Sequence, residues 1–162
     1  VMILGETGAG IFELAGESPG RSERRKADYF ERLTTLAVES GVPITLIGLD
    51  ATNEVPISPE FVDRLSTEGT SPEAAIVSTL LANNAESIAG GGYYFWDPLA
   101  AAVMINNDLV TLTERDVTVI DIPGDPDDGR TKPVANGSTI WVATDPDGAA
   151  LEDALIAGWN GQ

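Results

Sequence analysis

The sequence predicts an α/β fold, in which helices pack on a mostly parallel sheet and a small antiparallel element lies near the C-terminus. Two observations lead to this prediction. Residues 24–40 have apolar side chains at helical spacing, and the β-branched run at residues 44–49 is typical of a strand covered on both faces. Helix signals and strand-like runs then recur along the chain, as in an α/β layer. A length of 162 residues fits a single domain spanning residues 1–162.

Four further helices are predicted by a capping residue followed by proline. Proline costs nothing at the first helical position, because its missing N–H would have no partner there. The helices are expected to end near residues 66, 88, 105 and 159. The four pairs are Ser58-Pro59, Ser71-Pro72, Asp97-Pro98 and Asp145-Pro146.

Strand-like runs occupy residues 110–112, 117–122 and 139–143, and the Gly- and Asp-rich residues 124–129 predict a hairpin or a longer turn after the second run. A solvated acidic turn explains Asp125, Asp127 and Asp128 better than a calcium loop, because the alternating ligand order is not met. Residues 1–35 are atypical. They begin with a short apolar run, and the following glycines lack the lysine of a phosphate loop.

The charge and composition exclude several classes of function. The net charge of -17 opposes binding to nucleic acid and to anionic membranes. Absence of Cys and His removes thiolate chemistry, the commonest general base and the commonest zinc ligand. With no apolar segment of spanning length and no signal-peptide pattern, a cytoplasmic protein is expected. Acidic residues are spread along the whole sequence, which contains only two lysines. This pattern indicates a halophilic source, where salt screens the repulsion between the negative charges; an ordinary acidic protein is the alternative.

Three stretches in order carry a family resemblance. The first, residues 41–53, reads GVPITLIGLDATN, and the second, residues 91–102, reads GGYYFWDPLAAA. The third runs from residue 117 through residues 129–131 and Asn136 to the closing helix. Together they resemble the C-terminal half of the inosine/uridine-preferring nucleoside hydrolases, over roughly residues 36–159. The resemblance implies a partial sheet of that fold and hydrolysis of the N-glycosidic bond of ribonucleosides.

The resemblance also implies calcium as a cofactor. It shows as well which metal-binding and ribose-binding residues of the family this sequence lacks. The family holds calcium largely with a cluster of the form Asp-x-Asp-x-x-x-Asp-Asp, and the sequence contains no such cluster. Arg25 and Ala27 stand where the family would supply ribose-binding Asn and Glu side chains. No catalytic residue is therefore assigned, and calcium binding by this chain is doubtful. The chain alone is expected to be inactive.

Three residues are nevertheless candidates for site roles. By family position, Asp97 would be a metal ligand, although an N-cap ahead of Pro98 explains it more simply. Trp96 stands where many members have His. It could stack on a nucleobase, or it could join Tyr93, Tyr94 and Phe95 in an aromatic lid or interface patch. Asn53 could face the substrate pocket, and an Asx-type turn contact explains it equally well.

A partial sheet leaves a strand edge and an apolar face uncovered. The expected partners are therefore a second copy of the chain or a separate N-terminal half, with a ribonucleoside as the possible ligand. The alternative function is a non-catalytic oligomerising or nucleoside-binding module descended from the same family.

Overall fold

The computed structural model describes residues 35–120, 122 and 130–161. The chain divides into two compact units. Of the described residues, the sheet unit contains 35–48, 112–120, 122 and 130–142, and the helical unit contains 49–111 and 143–161. Predictions for residues 1–34, Asp121 and the turn at residues 124–129 lie outside the described residues.

Four strands form one mixed sheet among the described residues, in the order β1-β4-β2-β3. β1 runs parallel to β4, with Thr45 opposite Trp141. β2 runs antiparallel to β3, with Val117 opposite Pro133. The predicted α/β class and its antiparallel element are thus confirmed. The strands are β1 (Thr45–Leu46), β2 (Thr111–Val119), β3 (Thr131–Pro133) and β4 (Ser138–Thr144).

Three strand predictions need correction. The strand expected at residues 44–49 is limited to Thr45 and Leu46, because the chain turns into a helix at Leu49. Residues 111–112 and 117–119 of the two predicted runs belong to one continuous strand, β2, whose polar middle hid the connection. β3 was missed, since three residues that end in proline give no alternating pattern.

A small apolar cluster holds the sheet unit together. One of its members, Val38, lies in the helix predicted at residues 24–40. That helix ends as expected, because residues 35–39 are helical and Gly41 follows with a φ of 73°. Val119 and Val142 pack against the cluster. Its buried members are Val38, Ile44, Leu46, Val117 and Ile140.

Six helices and one 3₁₀ turn make up the helical unit. The two predicted serine caps are confirmed: Ser58 Oγ accepts the Phe61 N–H at 3.1 Å, and Ser71 Oγ accepts the Ala74 N–H at 2.9 Å. The helices are α1 (Leu49–Thr52), α2 (Pro59–Glu68), α3 (Pro72–Ala82), α4 (Ala85–Ala89), α5 (Trp96–Ile105) and α6 (Gly148–Trp159), and the 3₁₀ turn is Asn107–Leu109.

The other two predicted caps are wrong. α5 begins at Trp96, so Phe95 occupies the cap position and no side chain caps it. α6 is capped by Asp147, whose Oδ1 accepts the Ala150 N–H at 3.0 Å. Asp145 instead has a φ of 48°, in the left-handed region. The prolines therefore located these two helices without identifying their caps: Pro98 is the third residue of α5, and Pro146 precedes the cap of α6.

The helix predicted from Pro72 to Ile88 is divided into α3 and α4. Asn83 lies at the C-terminus of α3, and the Asn84 side chain donates to the Leu80 carbonyl at 2.8 Å. Asn side chains compete in this way for backbone groups and interrupt helices. None of the described helices is long and apolar enough to cross a bilayer.

Large aromatic and aliphatic side chains form the core of the helical unit. The Phe61 ring meets the Phe95 ring edge to face, with centroids 4.9 Å apart, and the Trp159 ring at 6.3 Å. On the surface, Arg64 pairs with Glu68 in α2 and with Asp153 in α6. Other fully buried core side chains are Leu65, Leu99, Val103 and Leu151.

Candidate functional site

Backbone hydrogen bonds place two of the family-like stretches side by side within the helical unit. The Ile57 N–H donates to the Tyr93 carbonyl at 2.8 Å, and the Phe95 N–H donates to the Val55 carbonyl at 3.1 Å. Between these bonds, Pro56 and Tyr94 form an antiparallel bridge. α1 also packs against α5. The turn that carries Asn53 therefore lies beside the segment that leads into Trp96 and Asp97, although 43 residues separate Asn53 from Trp96 in the sequence.

The four consecutive aromatic residues do not act as one patch. Phe95 is 2% exposed and belongs to the core, so it cannot be part of a lid or an interface. Trp96 is 39% exposed and contacts Tyr93 and Tyr94, with ring centroids 5.5 Å apart in both pairs. We call Tyr93, Tyr94 and Trp96 the aromatic cluster. Contacts with two rings at different angles restrict the rotation of the indole, which keeps part of its surface in one orientation.

The carboxylate of Asp97 does not cap α5. Asp97 is the second residue of the helix and is exposed. Within the described parts of the chain, its carboxylate accepts no hydrogen bond and forms no ion pair. The capping explanation for this residue is therefore wrong. A negative charge in the first turn still interacts favourably with the helix dipole, and the carboxylate remains available to a ligand.

The Asn53 side chain is also exposed and available. Its backbone N–H donates to the Leu49 carbonyl at 3.0 Å, which closes α1. No hydrogen bond joins the side-chain amide to another described residue, so the Asx-turn explanation is wrong. The preceding Thr52 is 3% exposed, and its hydroxyl has no hydrogen-bond partner among the described residues.

The described residues do not fit a complete calcium site. Calcium takes six to eight oxygen ligands, several of them from carboxylates. No group of three or more Asp, Glu, His or Cys side chains that could hold a metal ion occurs in residues 35–120, 122 and 130–161. Asp97 alone cannot replace such a group.

Negative charge is concentrated in the helical unit. Residues 49–111 and 143–162 contain thirteen Asp and Glu residues and a single basic residue, Arg64. The Glu68 and Asp153 carboxylates, which accept hydrogen bonds from the guanidinium, raise the pKa of Arg64. Glu54 is exposed. It precedes Val55, whose carbonyl accepts the hydrogen bond from the Phe95 N–H. The aromatic cluster therefore lies in a strongly negative unit whose one cation is already paired.

Sequence reasoning treated Tyr93 and Tyr94 only as part of a general aromatic patch. Phe95 differs from them because its ring packs against the Phe61 ring, and this contact joins residues that are far apart in the sequence. Exposed Glu54 was not singled out at all. Its position before the Val55–Ile57 segment became informative only once that segment paired with residues 93–95.

Comparison with known proteins identifies the class to which this fold and this pair of segments belong. The family model described as inosine-uridine preferring nucleoside hydrolase matches residues 34–153. Since this match covers most of the chain, the chain belongs to the inosine-uridine preferring nucleoside hydrolase family. No curated protein sequence matches the chain.

Solved structures agree on the fold. The chain superimposes on an inosine-uridine preferring nucleoside hydrolase from Bacillus anthracis with a TM-score of 0.71 and 22% identity, covering 81% of this chain and 41% of that one. A purine-preferring ribonucleoside hydrolase from Gardnerella vaginalis gives 0.61 and 23%, covering 79% and 43%. A plant nucleoside hydrolase gives 0.61 and 16%, covering 85% and 48%. The chain thus spans less than half the length of each of these proteins.

Proposed function

We propose that this chain contributes part of a nucleoside site to the hydrolysis of the N-glycosidic bond of ribonucleosides, and that the chain alone is inactive. The pairing of residues 55–57 with residues 93–95 carries the proposal, because it places Asn53 and the Trp96-Asp97 pair on adjoining segments. Both Asn53 and Asp97 have exposed side chains without partners among the described residues. An amide can bind hydroxyls, and an exposed indole can stack on a base.

The reaction that the family membership supports is attack of water on the anomeric carbon through an oxocarbenium-like transition state. The chain contains no His, and its described residues hold no carboxylate cluster for a metal. The groups that activate water are therefore proposed to come from a polypeptide that supplies the rest of the fold. Calcium would obtain its remaining ligands from that polypeptide, with Asp97 as one carboxylate.

Binding and turnover test the proposal separately. Isothermal titration with uridine and with inosine is expected to detect weak binding, which Asn53→Ala reduces. Asn107→Ala, in the exposed 3₁₀ turn, is the matched control and is expected to leave binding unchanged. A reducing-sugar assay with calcium is expected to detect no ribose release. Absence of binding to both nucleosides would contradict the site, and ribose release by the chain alone would contradict its inactivity.

A second candidate function is an oligomerising module, favoured by an apolar stripe on α3. Ile76 and Leu80 lie one turn apart on the same helical face and are 62% and 56% exposed. We propose that a second copy of the chain covers this stripe. Size-exclusion chromatography with light scattering in concentrated salt should then give a dimer, and Ile76→Ser should shift it toward a monomer. A compact monomer at all concentrations would contradict this function.

A further inference from the structure

The sequence contains two Asn-Gly pairs, and their side chains have different surroundings. The pairs are Asn136-Gly137 and Asn160-Gly161, and each of the other five asparagines is followed by a residue with a side chain. Asparagine is a thermally labile residue. Its side-chain amide can be attacked by the backbone nitrogen of the next residue, and glycine leaves that nitrogen open because it has no Cβ. Both pairs therefore have the local sequence that favours loss of ammonia.

The amide of Asn136 is not restrained. This residue lies in the turn between β3 and β4, where it is exposed and has a φ of 61°, in the left-handed region. Asparagine adopts this conformation more readily than most residues. Among the described residues, its side chain forms no hydrogen bond. An exposed side chain without partners changes rotamer rapidly, so the amide carbon is free to approach the backbone nitrogen of Gly137.

The amide of Asn160 is held at both of its polar atoms. Its Oδ1 accepts the Thr70 N–H at 2.8 Å, and its Nδ2 donates to the Glu68 carbonyl at 3.0 Å. The neighbouring nitrogen is engaged as well, because the Gly161 N–H donates to the Gly158 carbonyl at 3.1 Å. An attack at this pair must first break these bonds, each of which contributes to stability. The helical unit thus protects one Asn-Gly pair, whereas the turn in the sheet unit leaves the other unprotected.

We propose that Asn136 is a site of spontaneous deamidation, at which the chain modifies its own backbone. The backbone nitrogen of Gly137 bonds to the side-chain carbonyl carbon of Asn136, and the bond from that carbon to the amide nitrogen breaks. Ammonia leaves with the proton from the backbone nitrogen, which gives a succinimide ring. Water then opens the ring at either carbonyl and yields aspartate or isoaspartate. One water is consumed, one ammonia is released, no redox partner is needed, and the nucleoside site takes no part.

The isoaspartate product should weaken the turn. It carries the chain through the former side chain, which adds one carbon to the backbone between residues 136 and 137. That backbone has little room, since a Cβ built at Gly137 would collide with the Val117 carbonyl oxygen. The aspartate product keeps the backbone length, and aspartate also tolerates the left-handed region. Isoaspartate, and not aspartate, is therefore expected to destabilise the sheet unit.

Incubation of the full chain in warm, mildly alkaline buffer tests the site. Cleavage after Glu152 puts the two asparagines on different peptides, and mass spectrometry measures the deamidated fraction of each. Asn136 should deamidate at least about ten-fold faster than Asn160, because the hydrogen bonds of the Asn160 amide must first be broken. In urea the two rates should converge, since unfolding releases that amide. Equal rates in the folded chain, or a difference that persists in urea, would overturn the inference.

Two variants test the consequence for the fold. Asn136→Gly suits the left-handed conformation and cannot deamidate at this position, so its urea denaturation midpoint should not fall during incubation. Asn136→Asp carries the charge of the product without the longer backbone, and its midpoint should match that of the fresh chain. The midpoint of the incubated unmodified chain should lie below both. An equal fall in Asn136→Gly, or an incubated chain as stable as Asn136→Asp, would overturn the proposed weakening of the turn.

Discussion

The helical unit and the sheet unit differ in what stabilises them. The helical unit has large buried rings and two serine caps. Its helices α2, α3 and α4 follow one another along the chain and pack together, and α6 joins them from far along the sequence. The described sheet unit relies on a small cluster of Val, Ile and Leu and on strands far apart in sequence, such as Thr45 beside Trp141. The comparison indicates that local sequence signals locate helices, whose backbone hydrogen bonds lie within one segment, and fail where a strand is completed by a distant partner.

The two units also differ in their charge. Arg115, Arg130 and Lys132 lie in the described part of the sheet unit, whereas Arg64 is the single basic residue of the helical unit. The candidate ligand-binding residues all lie in the helical unit. The negative field is therefore strongest in the unit that carries the candidate residues.

The largest expected effect is the loss of the aromatic core of the helical unit. Phe61→Ala removes a ring that is 1% exposed and contacts Phe95 and Trp159. Urea denaturation should show a loss of about 3–5 kcal/mol in the free energy of unfolding. Ile105→Ala, at a position of the same unit that is 90% exposed, should change it by less than about 0.5 kcal/mol. Equal effects would mean that the rings do not form the core.

A glycine in the sheet unit should give the next largest effect. A Cβ at Gly137 would lie 2.4 Å from the Val117 carbonyl oxygen and 2.6 Å from Val134 Cγ1. Because the first contact is backbone, Gly137→Ala should destabilise the chain by about 1–3 kcal/mol. Gly158→Ala is the control: a Cβ there meets nothing within 4 Å, and inside α6 it should stabilise by about 0.5–1 kcal/mol. A neutral Gly137→Ala would show that the β3–β4 turn is tolerant.

The two serine caps should differ in strength. Ser71 Oγ accepts the Ala74 N–H and donates to the Trp159 carbonyl at 2.6 Å, so it joins α3 to the end of α6. The Ser58 hydroxyl makes only the capping bond among the described residues. Ser58→Ala should cost about 1 kcal/mol, and Ser71→Ala about 1 kcal/mol more. Equal thermal unfolding shifts in the two variants would contradict the link between α3 and α6.

The smallest expected effect is a pH dependence from Glu152. Burial raises the pKa of this carboxyl, against the opposing influence of Arg64. The folded chain then holds the proton more tightly than the unfolded chain. This group therefore favours folding below its unfolded pKa and loses that contribution as the pH rises through the raised folded pKa. Glu152→Gln should flatten the stability profile across that window.

A control separates this effect from a general loss of negative charge. Glu114→Gln removes the same charge from an exposed position on β2 and should leave the shape of the profile unchanged. If both variants flatten the profile equally, overall self-repulsion and not the burial of Glu152 determines it.

Part of the candidate site was predictable from sequence. The motif around Trp96 and Asp97, and the turn carrying Asn53, were recognised from their residues and order. The juxtaposition of the two segments depends on the hydrogen bonds of Val55 and Ile57 to Phe95 and Tyr93, which no local pattern encodes. The cap assigned to Asp97 was wrong because the helix begins at Trp96, two residues before the predicted first residue Pro98.

The sequence by itself determined the family, the α/β class, most helix positions and the acidity of the chain, because these follow from local composition, short-range periodicity and proline chemistry. The tertiary structure alone decided that Phe95 is core while Trp96 is exposed, that β2 is one strand, and that Asn53 lies beside the aromatic cluster. Each of these depends on contacts between residues far apart along the chain. Their free energy comes from burial and pairing and not from local propensity.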